Sequence, residues 1–318
     1  MASVRNTLTL EGATSDTPAT QIVRSVINSG VDVDKLAYVI DDARFTGVPF
    51  GLGVDVEGLM RSIIVGQHND EYGIAFEFDA LPAIESLCFA RYWNFQRIYW
   101  NRDNRSIATM IIWTVRELSS HEEWRFEEFL ERTFGLGEAS ALNELTAQYR
   151  SIIKKDPPIA KLPEASEAMY ACIYEDSFIG KQDLLNDSQN SHSGPNARRN
   201  ACVRASTCIL EKIRPVTGIN ALAPDEVLLD VPLRHMTLGG NIFIKNREGA
   251  IVDASEHTVS PLLSQLKGRF AEMSSTLRIY VSPRVRKAIG GSWDTIVPTL
   301  HQPLMRSISG HAQHSESQ

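Results

Sequence analysis

The sequence predicts a mainly α-helical protein with a smaller α+β module toward the C-terminus, and three observations support this fold class. Apolar residues recur at helical spacing through residues 21–155. Short runs rich in β-branched residues follow residue 221, and they are "EVLLDVPL", "GNIFIKN", "AIVDA" and "LRIYVSP". The composition is that of a globular protein, with 43% hydrophobic and 22% charged residues among 318.

The helices of the first part can be assigned in order from capping and periodicity. A helix in "TQIVRSVINSG" stops at Gly30, and Asp32 caps the next one, Val33 to about Arg44, which ends at "TGVPFG". "DVEGLMRSIIVG" is a short helix or the start of a strand, and "YGIAFEF" alternates as a strand does. Four longer helices follow, in "PAIESLCFARYWNFQRIYW", "NRSIATMIIWTVREL", "EEWRFEEFLERTFG" and "EASALNELTAQYRSII".

These patterns divide the chain into five segments. We expect a flexible lead, a helical region, a linker with helices, an α+β module and a tail, at residues 1–20, 21–155, 156–220, 221–290 and 291–318. The linker segment begins with the proline-rich "KKDPPIAKLPEAS", continues as helix to about Asn186, and contains an exposed polar loop at 186–200. "ACVRASTCILEKIR" is helical again.

Bulk properties exclude several classes of protein. A net charge of −7 argues against general affinity for nucleic acid. No apolar run reaches the roughly 18 residues of a membrane span, and the N-terminus lacks a secretory pattern, so we expect a cytoplasmic protein. The scattered cysteines are expected to be reduced thiols, and they are Cys88, Cys172, Cys202 and Cys208.

The stretch "SGVDVDKLAYVIDDARFTG" places charged and phenolic side chains on one helix face. Asp34, Tyr38 and Asp42 are spaced by four residues, and Lys35 lies beside them. Carboxylates suit a divalent cation, and an ammonium neutralises phosphate charge. The alternative is a solvated face whose acidic N-terminus complements the helix dipole.

This stretch resembles the motif that follows the metal site in HD-superfamily phosphohydrolases, close to DVDRLDYLxRDxxxTG. The resemblance continues through "VPFG", "LPAIESLCFARYWNFQRIYWNR", "DEVLLDVPL" and "LRIYVSP", over roughly residues 20–285. The most similar members are the deoxynucleoside triphosphate triphosphohydrolases. The resemblance implies an HD-like helical bundle and metal-dependent hydrolysis of nucleotides, in which the metal supplies the attacking hydroxide.

The resemblance also assigns roles to residues. Asp34 matches a metal ligand, and Lys35 and Arg91 match phosphate contacts. Tyr38 and Asp42 match residues that hold the sugar, and Tyr99 matches a tyrosine at the sugar or base. Arg91 and Tyr99, eight residues apart on one helix, are expected to face the same cleft. The alternative for Arg91 is an ion pair with Glu85 or Glu77.

The family's His and His-Asp metal ligands have no match here. The sequence has no His-Asp dipeptide, and none of its eight histidines precedes Asp34. A catalytic metal needs three or four protein ligands, so no complete catalytic set is expected in this chain. A divalent ion (Mn, Mg, Fe or Zn) is expected only if other ligands are supplied, and otherwise no cofactor. His311 and His314 in the tail are a poor substitute.

The chain therefore resembles the family's second half without its first, and other positions depart as well. Ala37 replaces the usual aspartate, Asp41 the usual basic residue, and Asn101 a frequent histidine. Asp41 beside Asp42 would repel phosphate unless a cation intervenes.

Two hypotheses of function follow, and whether the lone chain is an enzyme stays open. The chain is part of a nucleotide phosphohydrolase, completed by a partner polypeptide that carries the missing ligands. Alternatively it is a non-catalytic nucleotide-binding or assembly subunit, and a homo-oligomer is expected because the apolar surface that the missing helices would cover needs a partner.

Overall fold

The computed structural model describes residues 17–161, 169–177, 194–219, 221–230, 241–274, 276–292, 296 and 298. The helices of these residues, in chain order, are α1 (Pro18–Ile27), α2 (Val33–Thr46), α3 (Val56–Arg61), α4 (Leu81–Asn94), α5 (Arg102–Leu118), α6 (Phe126–Thr133), α7 (Glu138–Ile153), α8 (Gly194–Thr217), α9 (Pro261–Ser274) and α10 (Pro283–Ile289). Short 3₁₀ turns lie at Pro49–Gly51, Phe78–Ala80, Pro158–Lys161 and Pro224–Glu226, and a π-helical turn at Phe95–Tyr99.

The strands form two small sheets. They are β1 (Ile63–His68), β2 (Glu71–Phe76), β3 (Ala171–Ser177), β4 (Val227–Asp230), β5 (Phe243–Lys245), β6 (Ile251–Asp253) and β7 (Thr276–Val281). The first sheet has the order β1-β2-β5-β6, in which β2 and β5 are parallel and the other pairs antiparallel. The second sheet is antiparallel with the order β3-β7-β4.

The chain folds into two compact units, each assembled from separated segments. Unit 1 comprises Met1–Asn101 and His235–Ser274, and unit 2 comprises Arg102–Arg234 and Ser275–Gln318. The sequence-predicted boundaries at 155 and 220 differ from this division, because β5, β6 and α9 pack with the N-terminal helices.

Unit 1 has its own hydrophobic core. Leu59, Ile84 and Leu87 pack with Ile244 and Phe270 from the second segment, and each of these side chains is almost fully buried. The hairpin of β1 and β2 turns at Asn69 and Asp70, both in the left-handed region, where Asn and Asp are favoured among residues with a side chain.

Unit 2 surrounds the second sheet with helices. The strand residues Leu229 and Ile279 pack in one core cluster with Ile209 and Ile213 of α8. Leu228 and Tyr280 pack in another with Met110 of α5. Ile296, inside the expected tail, is 2% exposed and belongs to the first of these clusters. Among the described helices, none is both long and apolar enough to cross a bilayer.

The fold class is confirmed: the protein is mainly α-helical with a smaller α+β part. Two local expectations were wrong. β3 lies where helix was expected before Asn186, because "ACIYEDS" pairs along β7. Residues 194–200 of the expected loop 186–200 begin α8, since α8 extends N-terminally beyond the apolar run that predicted it. The predictions for residues 1–16, 186–193 and 299–318 lie outside the described residues.

Candidate functional site

The N-terminus of α2 is fixed by a buried aspartate. Asp32 is 3% exposed and caps the helix by accepting from the Lys35 backbone N–H at 2.7 Å and from the Ser29 N–H at 3.3 Å. Its carboxylate also accepts from the Lys35 ammonium. Gly47, with a φ of 74°, ends the helix in the left-handed conformation that glycine adopts most easily.

Two predicted ligand residues lie in this first turn. The Lys35 side chain is only 14% exposed and forms an ion pair with Asp32. Asp34 is exposed at the start of the helix. The Lys35 ammonium is therefore paired with the carboxylate of the N-cap residue Asp32, and its phosphate contact stays a prediction.

Helix α4 carries two polar residues on its buried face. Pro82 occupies its first turn, and Ile84, Leu87 and Cys88 define the apolar stripe that enters the core of unit 1. Arg91 and Asn94 continue that stripe and are 9% and 0% exposed. Buried polar residues on an apolar stripe need a specific reason.

Arg91 lies among aromatic rings. Its guanidinium carbon is 5.5 Å from the centre of the Phe95 ring and 5.8 Å from that of Phe270 in α9. Its Nε and Nη1 atoms are buried and have no hydrogen-bond partner among the described residues. A buried cation without a carboxylate partner is costly, and the Phe95 and Phe270 rings offset part of that cost by cation–π contact.

Tyr99, Asp42 and Tyr38 form the other side of this cluster. The Tyr99 hydroxyl donates to the Asp42 carboxylate. The Tyr38 and Tyr99 rings meet edge to face at 6.2 Å, and Phe95 meets Tyr99 in the same way at 4.8 Å. Tyr99 closes the π-helical turn, whose Trp100 N–H donates to the Phe95 carbonyl at 2.6 Å. Such turns are frequent at functional sites.

Both phenols are held in their protonated form. Burial raises the pKa of Tyr99, and its hydrogen bond to Asp42 and the Asp42 charge raise it further. Burial also raises the pKa of Tyr38, although the charge of Arg91 and its hydrogen bond with the phenol oppose this. At neutral pH both tyrosines therefore keep their O–H groups, and that of Tyr99 is donated to Asp42.

We name Tyr38, Asp42, Arg91 and Tyr99 the arginine cluster, and these are four of the six residues singled out from the sequence. Arg91 does not take the alternative ion pairs. Glu77 pairs with Lys245 at 3.3 Å, and Glu85 accepts from the Ser260 hydroxyl at 2.6 Å. Asp41 is exposed and pairs with Arg44 at 3.5 Å, so its charge is partly matched by a neighbour.

Sequence reasoning missed two residues of this region. Phe270 comes from α9, far along the chain, and no local pattern links it to Arg91. Asn94 could have been found, because it lies three residues after Arg91 and occupies an apolar position of the α4 stripe.

The donor set near Asp34 does not fit a catalytic metal site. Within the described residues, no group of three or more His, Cys, Asp or Glu side chains could hold an ion. Asp32, the nearest carboxylate in sequence, is engaged by Lys35 and by backbone N–H groups. One exposed aspartate cannot fix the geometry that metal catalysis requires.

No protein-family model matches the chain. Sequence comparison finds an uncharacterized protein of Mycoplasma genitalium that is 32% identical over 112 residues, 34% of this chain and 26% of that protein. An uncharacterized protein of Bacillus subtilis is 30% identical over 104 residues, 32% of this chain and 22% of its own length. The chain thus matches about a quarter of the length of these relatives.

One solved structure shares the fold at low identity, and another superposes more loosely. A hypothetical protein from Aquifex aeolicus superposes with a TM-score of 0.53 at 18% identity, over 86% of this chain and 60% of that one. A phosphohydrolase from Bacteroides thetaiotaomicron superposes with a TM-score of 0.45 at 14% identity, over 82% and 63% of the two chains. The first likeness shows the fold alone, and the second is too loose to bear on function.

Proposed function

We propose that unit 1 binds a nucleotide in a phosphohydrolase-like site of the HD type, with deoxynucleoside triphosphates as the ligand class. Arg91 contacts the phosphates, and Tyr38, Asp42 and Tyr99 hold the sugar. The observation that carries this proposal is the buried Arg91 guanidinium, whose Nε and Nη1 have no hydrogen-bond partner among the described residues.

A phosphate group would satisfy what the fold leaves unsatisfied at Arg91. Its oxygens accept paired hydrogen bonds from the guanidinium fork, and charge-assisted bonds of this kind are the strong ones. The rings of Phe95 and Phe270 hold the guanidinium without neutralising it. The positive charge is therefore not neutralised by a carboxylate of the described residues.

The polar groups beside Arg91 suit a sugar. The Asp42 carboxylate can accept from a ribose or deoxyribose hydroxyl, and the protonated Tyr38 phenol can donate. The Tyr99 hydroxyl, whose proton is donated to Asp42, can accept from a sugar hydroxyl. Tyr38 and Asp42 belong to α2, Arg91 belongs to α4, and Tyr99 belongs to the π-helical turn that follows α4. Because these side chains contact one another, one ligand could meet all four residues.

Hydrolysis by this chain alone is outside the proposal, because the donor set around Asp34 does not fit a metal. In the HD type a divalent ion (Mn, Mg, Fe or Zn) would supply the nucleophile. We propose that a partner polypeptide contributes the remaining ligands to Asp34.

The second candidate is a non-catalytic nucleotide-binding or assembly subunit. The incomplete donor set favours it, and so do exposed apolar side chains such as Phe45 of α2, which is 85% exposed. The two candidates share the nucleotide site and differ only in whether a partner completes the metal centre.

Isothermal titration of the full chain tests the proposal. Inorganic tripolyphosphate and the four deoxynucleoside triphosphates are titrated into wild type, Arg91→Met and the control Arg97→Met, which alters an exposed arginine of the π-helical turn. We expect Arg91→Met to bind about 10- to 100-fold more weakly, as lost charged hydrogen bonds predict. Arg97→Met should bind like wild type. Equal binding by wild type and Arg91→Met would refute the phosphate role.

A further inference from the structure

The backbone carbonyl of Val39, in the middle of α2, is contacted from two sides. Asn94 donates to it from Nδ2 at 3.0 Å, across 55 positions in sequence. On another side the chain passes so closely at Gly51 that a Cβ there would lie 2.3 Å from the Val39 oxygen. The centre of α2 is therefore held by one hydrogen bond and one close backbone approach.

This contact joins the two segments that carry the arginine cluster. Val39 directly follows Tyr38 and precedes Asp42 by less than one turn. Asn94 lies three residues after Arg91 and immediately before the π-helical turn that ends at Tyr99. A shift of α4 relative to α2 would move Arg91 and Tyr99 away from their partners together.

Packing alone does not explain why the residue at position 94 is polar. Its side chain is 0% exposed, and its Oδ1 atom has no hydrogen-bond partner among the described residues. A buried acceptor left unpaired costs stability, whereas an apolar side chain of similar size would avoid that cost. The amide hydrogen bond is what the asparagine adds.

We propose that Asn94 is a positioning residue, whose bond to the Val39 carbonyl sets the distance between the Arg91–Tyr99 segment and the Tyr38–Asp42 segment. This inference deepens the proposed nucleotide site and rests on it for its functional meaning. The geometric part stands on the Asn94–Val39 and Tyr99–Asp42 contacts.

The experiment uses the full chain with tyrosine labelled by ¹³C at Cζ, and Tyr99→Phe assigns the Tyr99 signal. The shift of that signal reports the hydrogen bond to Asp42 without any ligand. We expect Asn94→Leu to move it toward the shift of free tyrosine. The control Thr114→Val removes a buried 2.8 Å bond to the Met110 carbonyl in unit 2 and should leave it in place. An unchanged Tyr99 signal in folded Asn94→Leu would overturn the inference.

A second pair of variants tests the same carbonyl from its other side. Gly51→Ala should also move the Tyr99 signal, because its Cβ would press on Val39. Gly53→Ala is the control, since a Cβ there meets nothing within 4 Å. Asn94→Ala replaces Asn94→Leu if the larger side chain prevents folding. Movement in the Gly53→Ala control as large as in Gly51→Ala would count against the positioning role.

Binding measurements separate this inference from the proposed function. We expect Asn94→Leu to bind tripolyphosphate about fivefold more weakly, the size of one lost buried hydrogen bond, while Thr114→Val binds normally. If Arg91→Met binds tripolyphosphate like wild type, the proposed function fails, and the Tyr99 signal still decides whether Asn94 sets the helix spacing. If Asn94→Leu binds normally while Arg91→Met does not, the positioning role fails alone.

Discussion

Arg91 is the residue at which function and stability are expected to oppose each other. Its buried charge lies over two phenylalanine rings without a carboxylate partner. We expect Arg91→Met to leave the free energy of unfolding unchanged or raise it by about 1 kcal/mol, because a buried unmatched cation is removed while its volume is kept. Urea denaturation without ligand measures this. A loss of stability well above that of Arg97→Met would mean that Arg91 is structural.

Tyr99 is expected to matter for the sugar and not for the phosphates. Tyr99→Phe removes the hydroxyl that donates to Asp42. We expect deoxynucleoside triphosphate binding to weaken about 3- to 10-fold, as for one lost hydrogen bond, and tripolyphosphate binding to stay constant. Tyr72→Phe, which alters an exposed tyrosine of β2, is the control. Equal weakening for both ligands would contradict the sugar role.

Helical spacing predicted which side chains of α2 share one face, and the roles assigned to these residues stay predictions. Tyr38 and Asp42 both contact Tyr99, because about one turn of α2 separates them. The ion pair of Lys35 with Asp32 could not be predicted from helical spacing, because it depends on the conformation of the Lys35 side chain. The contact of Phe270 with Arg91 could not be predicted from the sequence, because α9 approaches Arg91 only in the tertiary fold.

At the scale of elements, the π-helical turn could not be predicted from the sequence. The spacing of Arg91, Phe95 and Tyr99 predicted one continuous α-helix through Trp100. The structure ends α4 at Asn94 and inserts a wider turn over Phe95–Tyr99. A wider turn changes the angle at which Tyr99 leaves the helix axis, so its contact with Asp42 could not be derived from α-helical geometry.

Glu175 in strand β3 leads to a prediction about how the stability of the protein depends on pH. Burial alone would raise the pKa of Glu175, but hydrogen bonds and charge from Arg102 and Arg278 outweigh it and lower that pKa below its ordinary 4.5. The stability that Glu175 contributes is then present above pH 4.5 and is lost as pH falls through the lowered value. We expect Glu175→Gln to flatten the acid side of the stability profile, measured by urea denaturation from pH 7 to pH 3. A loss of stability between pH 7 and pH 3 that is as steep in Glu175→Gln as in wild type would contradict this prediction.

At the scale of the whole molecule, the mainly helical content with some strands could be predicted from the sequence, but the way in which the strands assemble could not. The strands after residue 221 looked like one α+β module, yet β5 and β6 join β1 and β2 while β4 and β7 join β3. Parallel pairing of β2 with β5 leaves no local signature, because Ala75 and Phe243 are 168 positions apart. Segment order along the chain therefore did not reveal the two units.

The central claim is that the arginine cluster of unit 1 is a nucleotide site, and a crystal structure of the chain with a bound deoxynucleoside triphosphate tests it most directly. We expect phosphate oxygens within hydrogen-bonding distance of Arg91 Nε and Nη1, and the sugar beside Asp42 and Tyr99. A nucleotide bound elsewhere, with Arg91 Nε and Nη1 still lacking a hydrogen-bond partner, would contradict the claim.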